Sequence, residues 1–163
     1  IYTTRNPLKT WFHVLCYQIL RLEELLVNCG GGYKNIAFVI LHKILCGKEF
    51  KRYGLFNKNG IEVSYCYQMT KNLRFPYMEK NTLQFGPCFT QKEYRGNGFY
   101  PLMLNYLMCK QVDMYKVFYI FCCDDNTASM RGISKAGFSL FGKGKKKFCK
   151  YIITEYLCKE NKL

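Results

Sequence analysis

Residues 90–100 of the chain have the sequence TQKEYRGNGFY, and this stretch carries the strongest structural signal. A segment rich in apolar residues precedes it and a segment of helical period follows it, so it predicts a loop between a strand and a helix. Its two glycines, Gly96 and Gly98, allow a tight turn and a close approach of the backbone to a ligand. The first turn of the following helix presents free N–H groups and the positive end of the helix dipole, which suit a pyrophosphate. An ordinary strand-to-helix turn is the alternative interpretation of a bare Gly-x-Gly.

The segments before this loop predict strands. Residues 61–69 alternate apolar and polar side chains, which indicates a strand with one buried face. Asn59-Gly60 comes just before them and is typical of a hairpin turn. Residues 82–90 predict a further strand, and the internal Gly86-Pro87 should bend it or interrupt its pairing.

Two helices are expected toward the N-terminus. Asn6-Pro7 is typical of a helix start, and apolar residues then recur with helical spacing as far as Leu26. The three glycines at 30–32 end that pattern. Residues 35–46 predict a second helix, with a strand as the alternative.

The segments after the loop complete an α+β pattern. A helix is predicted over residues 99–112, with Leu102, Tyr106 and Cys109 on its apolar face, and a buried strand over residues 117–123. A third helix should follow and two strands should close the chain, near 138–142 and 148–157, around a basic turn at 143–147. The order helix, helix, three strands, helix, strand, helix, two strands is α+β with a central mixed sheet.

Two motifs in this order resemble those of one superfamily. Residues 94–98 are similar to the acetyl-CoA-binding signature of GNAT acetyltransferases, Arg/Gln-x-x-Gly-x-Gly/Ala after an aromatic residue. Tyr100 departs from it, because the family usually has Gly or Ala there. Residues 126–138 resemble the family's later motif, which runs from Asn through a helix to Gly-Phe, and here Asp125 or Asn126 would cap a helix that ends at Gly137. The resemblance covers residues 50–157 of a single expected domain, 1–163.

The resemblance implies a fold and an activity. The fold would be α+β and GNAT-like, with a central mixed, mostly antiparallel twisted sheet that is splayed at the cofactor site and flanked by helices. The activity would be N-acetyl transfer from acetyl-CoA, used as co-substrate without a metal, to a primary amine of a small molecule by direct attack. Residues 88–90 would offer backbone groups to the pantetheine arm and a donor to the thioester carbonyl. The cofactor-binding residues implied are Cys88, Phe89, Thr90, Arg95, Gly96, Asn97, Gly98, Phe99, Tyr100, Asn126 and Ser129.

The catalytic groups are less well defined by the sequence. The family often has a tyrosine seven residues after the motif asparagine, as acid for the leaving thiolate, but this chain has Ile133 at that position, which is expected near the sulfur of coenzyme A. Asp124 is a candidate base for the amine, with helix capping or solvation as the alternative. Glu62 is expected to be solvated on the polar face of its strand, and His42 to be a core or surface histidine.

Composition limits the partners. Lys and Arg number 25 against 11 Asp and Glu, so the net charge of +14 favours an anionic partner, although charge alone does not choose among polyanions. We find no nucleic-acid reading module, and therefore expect no nucleic-acid partner. The block 73–98 is similar to GNAT-like proteins associated with bacterial surface polysaccharide synthesis, which implies an anionic amino-sugar nucleotide as acceptor.

The ten cysteines include no Cys-x-x-Cys pair, which argues against zinc and thioredoxin-like sites. Cys66, Cys109 and Cys122 lie on apolar stretches, so buried free thiols are expected, with an oxidised scaffold as the alternative. No apolar run approaches the ~20 residues of a membrane helix, and we expect a cytoplasmic protein that could form a homodimer.

Two other functions remain open at this point. A non-catalytic acyl-CoA-binding or sensor protein of the same fold would explain why Ile133 replaces the family's tyrosine. A nucleic-acid binder is suggested by the charge alone.

Overall fold

The computed structural model describes residues 2–4, 21–24, 33–148 and 150–157, and within them it contains nine strands and three α-helices. In chain order these are β1 (Tyr2–Thr4), β2 (Arg21–Glu24), α1 (Tyr33–Cys46), β3 (Lys51–Phe56), β4 (Glu62–Thr70), β5 (Thr82–Thr90), α2 (Phe99–Gln111), β6 (Val117–Ile120), α3 (Thr127–Lys135), β7 (Ser139–Leu140), β8 (Gly142–Lys147) and β9 (Lys150–Tyr156). Short 3-10 turns lie at Gly47–Glu49 and Lys92–Tyr94.

Seven strands form one sheet in the order β2-β3-β4-β5-β6-β1-β7, and β8 and β9 form a separate two-stranded hairpin. Only β5 and β6 run parallel in the large sheet, and its other pairs are antiparallel. The predicted mixed, mostly antiparallel sheet is therefore confirmed. The parallel pair arises because α2 carries the chain back from the end of β5 to the start of β6, as a crossover must.

Both faces of the sheet are covered. On one face, α2 and α3 pack over a core that includes Leu83, Phe85 and Phe118. On the other face lies a cluster of mainly aromatic side chains to which α1, the segment 71–81 and the β8–β9 hairpin contribute. The expectation of a single buried face for β4 is therefore wrong, because Ser64, Cys66 and Gln68 are buried as well as Val63, Tyr67 and Met69.

The β3–β4 hairpin confirms the turn predicted at Asn59-Gly60. The side chain of Asn57 closes it, since its Oδ1 accepts hydrogen bonds from the N–H groups of Asn59, at 2.9 Å, and Ile61, at 3.0 Å. Gly60 has a φ of +76°, which glycine adopts without strain.

Several expected boundaries are wrong. Residues 21–24 form a strand that pairs with β3, so the helical pattern expected to run to Leu26 does not continue through them; the rest of that prediction, with its end at 30–32, lies outside the described residues. The basic stretch 143–147 belongs to strand β8, not to a turn. The strand predicted over 117–123 ends at Ile120. The element order consequently differs at both ends from the one expected, whereas the helix predicted over 35–46 is confirmed as α1.

Helix α2 presents a different face to the core than its apolar spacing predicts. The buried side chains are those of Met103, Leu104, Leu107, Met108 and Gln111. Tyr106 and Cys109 are exposed and Leu102 is half-buried, because α2 has apolar residues all round and its periodicity does not single out one face. No helix among the described residues is long and apolar enough to cross a membrane.

The core under α2 gives the first prediction. Leu104 is completely buried, whereas Leu73 is 73% exposed. Leu104→Ala should lower the free energy of unfolding by about 2–5 kcal/mol, because it leaves a cavity beneath the helix. Leu73→Ala is the matched control and should stay within about 0.5 kcal/mol. Urea unfolding followed by circular dichroism measures both, and equal effects would contradict this packing.

Candidate functional site

Strands β5 and β6 separate half-way along β5. They are paired from Thr82↔Val117 to Phe85↔Ile120, and no residue of β6 is in register with residues 86–90. Over the same residues β5 keeps its pairing with β4 as far as Ser64↔Thr90, with a register shift opposite Gly86-Pro87. The predicted interruption of pairing is thus confirmed, and proline is suited to it because it has no N–H to donate. The result is a gap between the end of β5 and the segment after β6.

Side chains hold the end of β5 in place. The hydroxyl of Ser64 donates to the carbonyl of Phe89 at 2.8 Å and lies 2.9 Å from the hydroxyl of Thr90. Arg95 Nε donates to the carbonyl of Thr90 at 3.0 Å, and its guanidinium lies over the ring of Phe89. Cys88, Phe89 and Thr90 therefore form one fixed edge of the gap and are tied to the loop that follows.

That loop leads into the first turn of α2. Asn57 Nδ2 donates to the hydroxyl of Tyr94 at 3.0 Å, which attaches the loop to the β3–β4 hairpin. Gly96 and Gly98 have φ values of +82° and +80°, and a Cβ added at either would meet no other protein atom within 4 Å. The predicted 95–100 cradle is therefore open above its glycines, and the first N–H groups of α2 have no partner within the helix. These features fit a pyrophosphate.

Helix α3 starts beside the gap. Its N-cap is Asn126, whose Oδ1 accepts from the N–H of Ser129 at 3.0 Å, and Gly137 follows its end with a φ of +87°. The predicted capped helix is confirmed. Ile133 lies in the hydrophobic core and is completely buried, so its side chain is not accessible from the gap.

Tyr100 reaches from α2 to α3. Its hydroxyl lies 3.4 Å from that of Ser129, and a Cβ built on Gly132 would lie 2.5 Å from its ring. The bulky residue that departs from the signature is thus accommodated by a glycine in the facing helix. A glycine inside a helical pattern was the signal in the sequence that could have indicated this contact. Burial, and then the nearby Cys88, raises the pKa of Tyr100 well above its ordinary value.

Thiols lie next to this tyrosine. Cys66 and Cys88 are opposite each other on β4 and β5, and Cys88 Sγ donates to Cys66 Sγ at 2.9 Å. This hydrogen bond, followed by desolvation, raises the pKa of Cys88 well above its usual range, so its thiol is neutral at neutral pH. The described cysteines are free, and Cys109 and Cys123 are exposed, which makes the expectation of burial wrong for Cys109.

Solved structures share this arrangement of elements. A putative acetyltransferase from Acinetobacter baylyi matches with a TM-score of 0.59 at 19% identity, over 81% of this chain and 87% of that one. Spermidine N-acetyltransferase from Vibrio cholerae, solved with CoA and spermine, matches with a TM-score of 0.57 at 10% identity, over 85% and 89%. An aminoglycoside 6'-N-acetyltransferase from Acinetobacter baumannii matches with a TM-score of 0.53 at 10% identity, over 78% and 96%.

The chain has the GNAT acetyltransferase fold. No protein-family model and no curated protein sequence matches it. The shared fold confirms the α+β class that the order of elements predicts and that the two motifs imply.

The two carboxylates singled out in the sequence, Asp124 and Glu62, differ in their exposure to solvent. Asp124 is exposed, in the segment between β6 and α3. Glu62 is not the solvated residue that was expected, because Arg52 Nη2 donates to its Oε2 at 2.6 Å and its Oε1 is buried without a hydrogen-bond partner among the described residues. Arg52 in turn lies over the ring of Tyr65, which stacks on Phe89 at the end of β5. This ion pair could not be predicted from the sequence alone, because it depends on the register of the hairpin.

A surface depression of about 420 Å³ lies between α1, the segment that follows β4 and strand β9. It is lined by Leu45, Lys71, Asn72, Leu73, Pro76 and Lys150. His42 is buried nearby, stacked on Phe50, as expected of a core histidine.

The described residues contain no group of three or more His, Cys, Asp or Glu side chains suited to a metal ion.

The contact between Tyr100 and Gly132 gives the second prediction. Gly132→Ala should lower the free energy of unfolding by about 1–3 kcal/mol, because the new methyl group overlaps the ring. In a Tyr100→Ala background the same change should be neutral, or stabilising by up to about 1 kcal/mol, since alanine favours the helix. A double-mutant cycle by urea unfolding measures the coupling. An equal cost of Gly132→Ala in both backgrounds would contradict the contact.

Proposed function

We propose that the protein is an N-acetyltransferase that transfers the acetyl group of acetyl-CoA to a primary amine of a small anionic molecule by direct attack. One observation carries the proposal: the open N–H cradle at the start of α2 is joined, through Arg95 and Thr90, to an edge of β5 that has lost its parallel neighbour. A phosphate site and an extended backbone edge side by side suit a long ligand with a pyrophosphate at one end. The acetyltransferases of the same fold support this interpretation.

Each part of the site would hold a different part of the ligand. Acetyl-CoA, when bound, supplies the acetyl group as a thioester. The N–H groups of residues 95–100 would hold its pyrophosphate, and the residues Cys88, Phe89 and Thr90 would offer backbone groups to its pantetheine arm. Asn126 and Ser129 would close the gap from α3, because the cap places both at the start of that helix.

Direct attack agrees with the state of the thiols. A cysteine nucleophile acts as its thiolate, and the raised pKa of Cys88 keeps this thiol protonated at neutral pH. The acceptor amine must itself lose a proton, since a free alkyl amine has a pKa of about 10.4. Asp124 remains our candidate for accepting that proton, because it is exposed at the segment where β6 ends.

The proposed acceptor is anionic, with an amino-sugar nucleotide as the finer proposal. Lys71 and Lys150 line the surface depression described above. In strand β8, Lys143 has one acidic neighbour, Glu155, at 4.0 Å, and the lysines at 145–147 are exposed. A net charge of +14 would repel a polycation such as spermidine and attract a phosphorylated sugar.

A non-catalytic acyl-CoA-binding protein is the second candidate. It is favoured by one observation, that Ile133 is an apolar core residue where the family often has a tyrosine. Thiol release from acetyl-CoA, measured with a panel of amines that includes amino-sugar nucleotides, separates the two. An enzyme releases thiol in proportion to one of the amines, whereas a binding protein retains acetyl-CoA without turnover.

The cradle gives the third prediction. Gly98→Ala should weaken the binding of CoA at least tenfold in titration calorimetry, because its methyl group fills the open space above the first N–H groups of α2. Gly60→Ala is the matched control, since Gly60 has nearly the same φ and equally open surroundings but lies in the β3–β4 turn. Unchanged CoA affinity in Gly98→Ala, or an equal loss in Gly60→Ala, would contradict the assignment.

The thiols give the fourth prediction. Because the folded protein raises the pKa of Cys88, its thiolate forms only at a higher pH than the thiolate of an ordinary cysteine. At pH 8, iodoacetamide should therefore modify the exposed Cys123 well before Cys88, and acetyl-CoA alone should leave Cys88 unacetylated. Peptide mapping by mass spectrometry measures both. Stoichiometric acetyl-Cys88 would require a covalent route instead.

A further inference from the structure

The leaving sulfur in the proposed reaction needs a partner that position 133 does not supply. Breaking the thioester puts an electron pair and a negative charge on sulfur, and a nearby donor would stabilise it. Ile133 has no donor and is completely buried in the core. The donor must therefore come from another element around the gap between β5 and β6.

The hydroxyl of Tyr100 lies among the elements that surround this gap. Tyr100 packs against the same core cluster as Cys88, which lies three residues beyond the last pair of β5 with β6. Its hydroxyl lies 3.4 Å from the hydroxyl of Ser129 on α3. Cys122, two residues after the end of β6, packs against the same cluster. Tyr100 thus lies in one cluster with residues of β5 and of the segment after β6, and its hydroxyl faces Ser129 on the facing helix.

The ring has a fixed position. It packs against Gly132, where any side chain would overlap it, and against the core under α2. Tyr100 also stands in the first turn of α2, two residues after Gly98, so its backbone belongs to the same turn as the phosphate cradle. A group that is placed by the cradle at one end and by α3 at the other is well positioned for a ligand that spans both.

We propose that the Tyr100 hydroxyl donates a hydrogen bond to the sulfur that leaves when the amine takes the acetyl group. The inference rests on the proposed function. In the step, the amine nitrogen forms a bond to the acetyl carbon, the carbon–sulfur bond breaks, and its electron pair stays on sulfur. The proton lost by the amine passes to the base or to water, and Tyr100 keeps its own.

The surroundings of Tyr100 favour donation without transfer of the proton. The titratable groups that face the hydroxyl are the thiols of Cys88, Cys66 and Cys122, and neither a carboxylate nor a basic side chain contributes to its pKa. Burial raises the pKa of Tyr100, so its hydroxyl is still protonated at a pH where an ordinary thiol, with a pKa of about 8.5, is ionised. Tyr100 therefore remains a donor over the whole range in which a thiolate must leave.

The test measures the thiol of bound CoA directly, by the ultraviolet absorbance of its thiolate as the pH is raised. If Tyr100 donates to that sulfur, Tyr100→Phe should raise the pKa of the bound thiol by about one pH unit, a tenfold change in its ionisation. The variant keeps the ring over Gly132 and should also lower kcat about tenfold with the acceptor. Tyr106→Phe, on the same helix but exposed, is the matched control and should change neither value.

The outcomes separate this inference from the proposed function. If wild type binds CoA and Tyr100→Phe changes neither the thiol titration nor kcat, Tyr100 is not the donor, although the site stands. If wild type binds no CoA, the proposed function itself is wrong. Should Tyr100→Phe fail to fold, fluorotyrosine incorporated at position 100 keeps the ring and acidifies the hydroxyl. The pKa of the bound thiol should then fall below the wild-type value, and an unchanged titration would overturn the inference.

Discussion

The parallel pairing of β5 with β6 stops at Phe85, while the antiparallel pairing of β5 with β4 continues to Thr90. As a result, the end of β5 is held by β4 along one edge, whereas its other edge is open. The edge is rigid because Ser64 binds Phe89 and Arg95 binds Thr90. Everything else at the site is placed relative to this edge. The cradle follows β5 after one short loop, and α3 starts at Thr127, directly after the six residues that follow β6.

The gap is also where this chain departs from its signature. A tyrosine at position 100 would be difficult to place beside an ordinary helix, and Gly132 removes the conflict. The same ring brings a hydroxyl into the cluster that contains Cys88, whose raised pKa keeps its thiol neutral at neutral pH. Tyr100 replaces a small residue on α2, and Ile133 stands on α3 where the family often has a tyrosine. The two departures are consistent with one another, since the donor would have moved from α3 to the facing helix α2.

The parts of the fold that could be predicted are those governed by local signals. The turn at Asn57–Ile61, the interruption at Gly86-Pro87, the loop before α2 and the cap at Asn126 each depend on a few adjacent residues, and each was found in place. The rest depends on partners far away in the chain. Strand β2 requires pairing with β3, the exposed lysines of β8 require pairing with β9, and the ion pair of Arg52 and Glu62 requires the register of the hairpin. The buried face of α2 could not be predicted because apolar residues occur all round this helix. Gly132 stands out as a glycine within a helical pattern, but its contact with Tyr100 explains it only once the two helices are placed together.

Amide hydrogen exchange with and without acetyl-CoA tests the central claim most directly, because it reports the backbone groups that the ligand would occupy. We expect acetyl-CoA to slow exchange at residues 88–90 and at 95–100, two segments separated in sequence but joined at the gap, while the β8–β9 hairpin exchanges as before. Slowed exchange confined to the lysine-rich hairpin, or no change at either segment at saturating acetyl-CoA, would contradict the account.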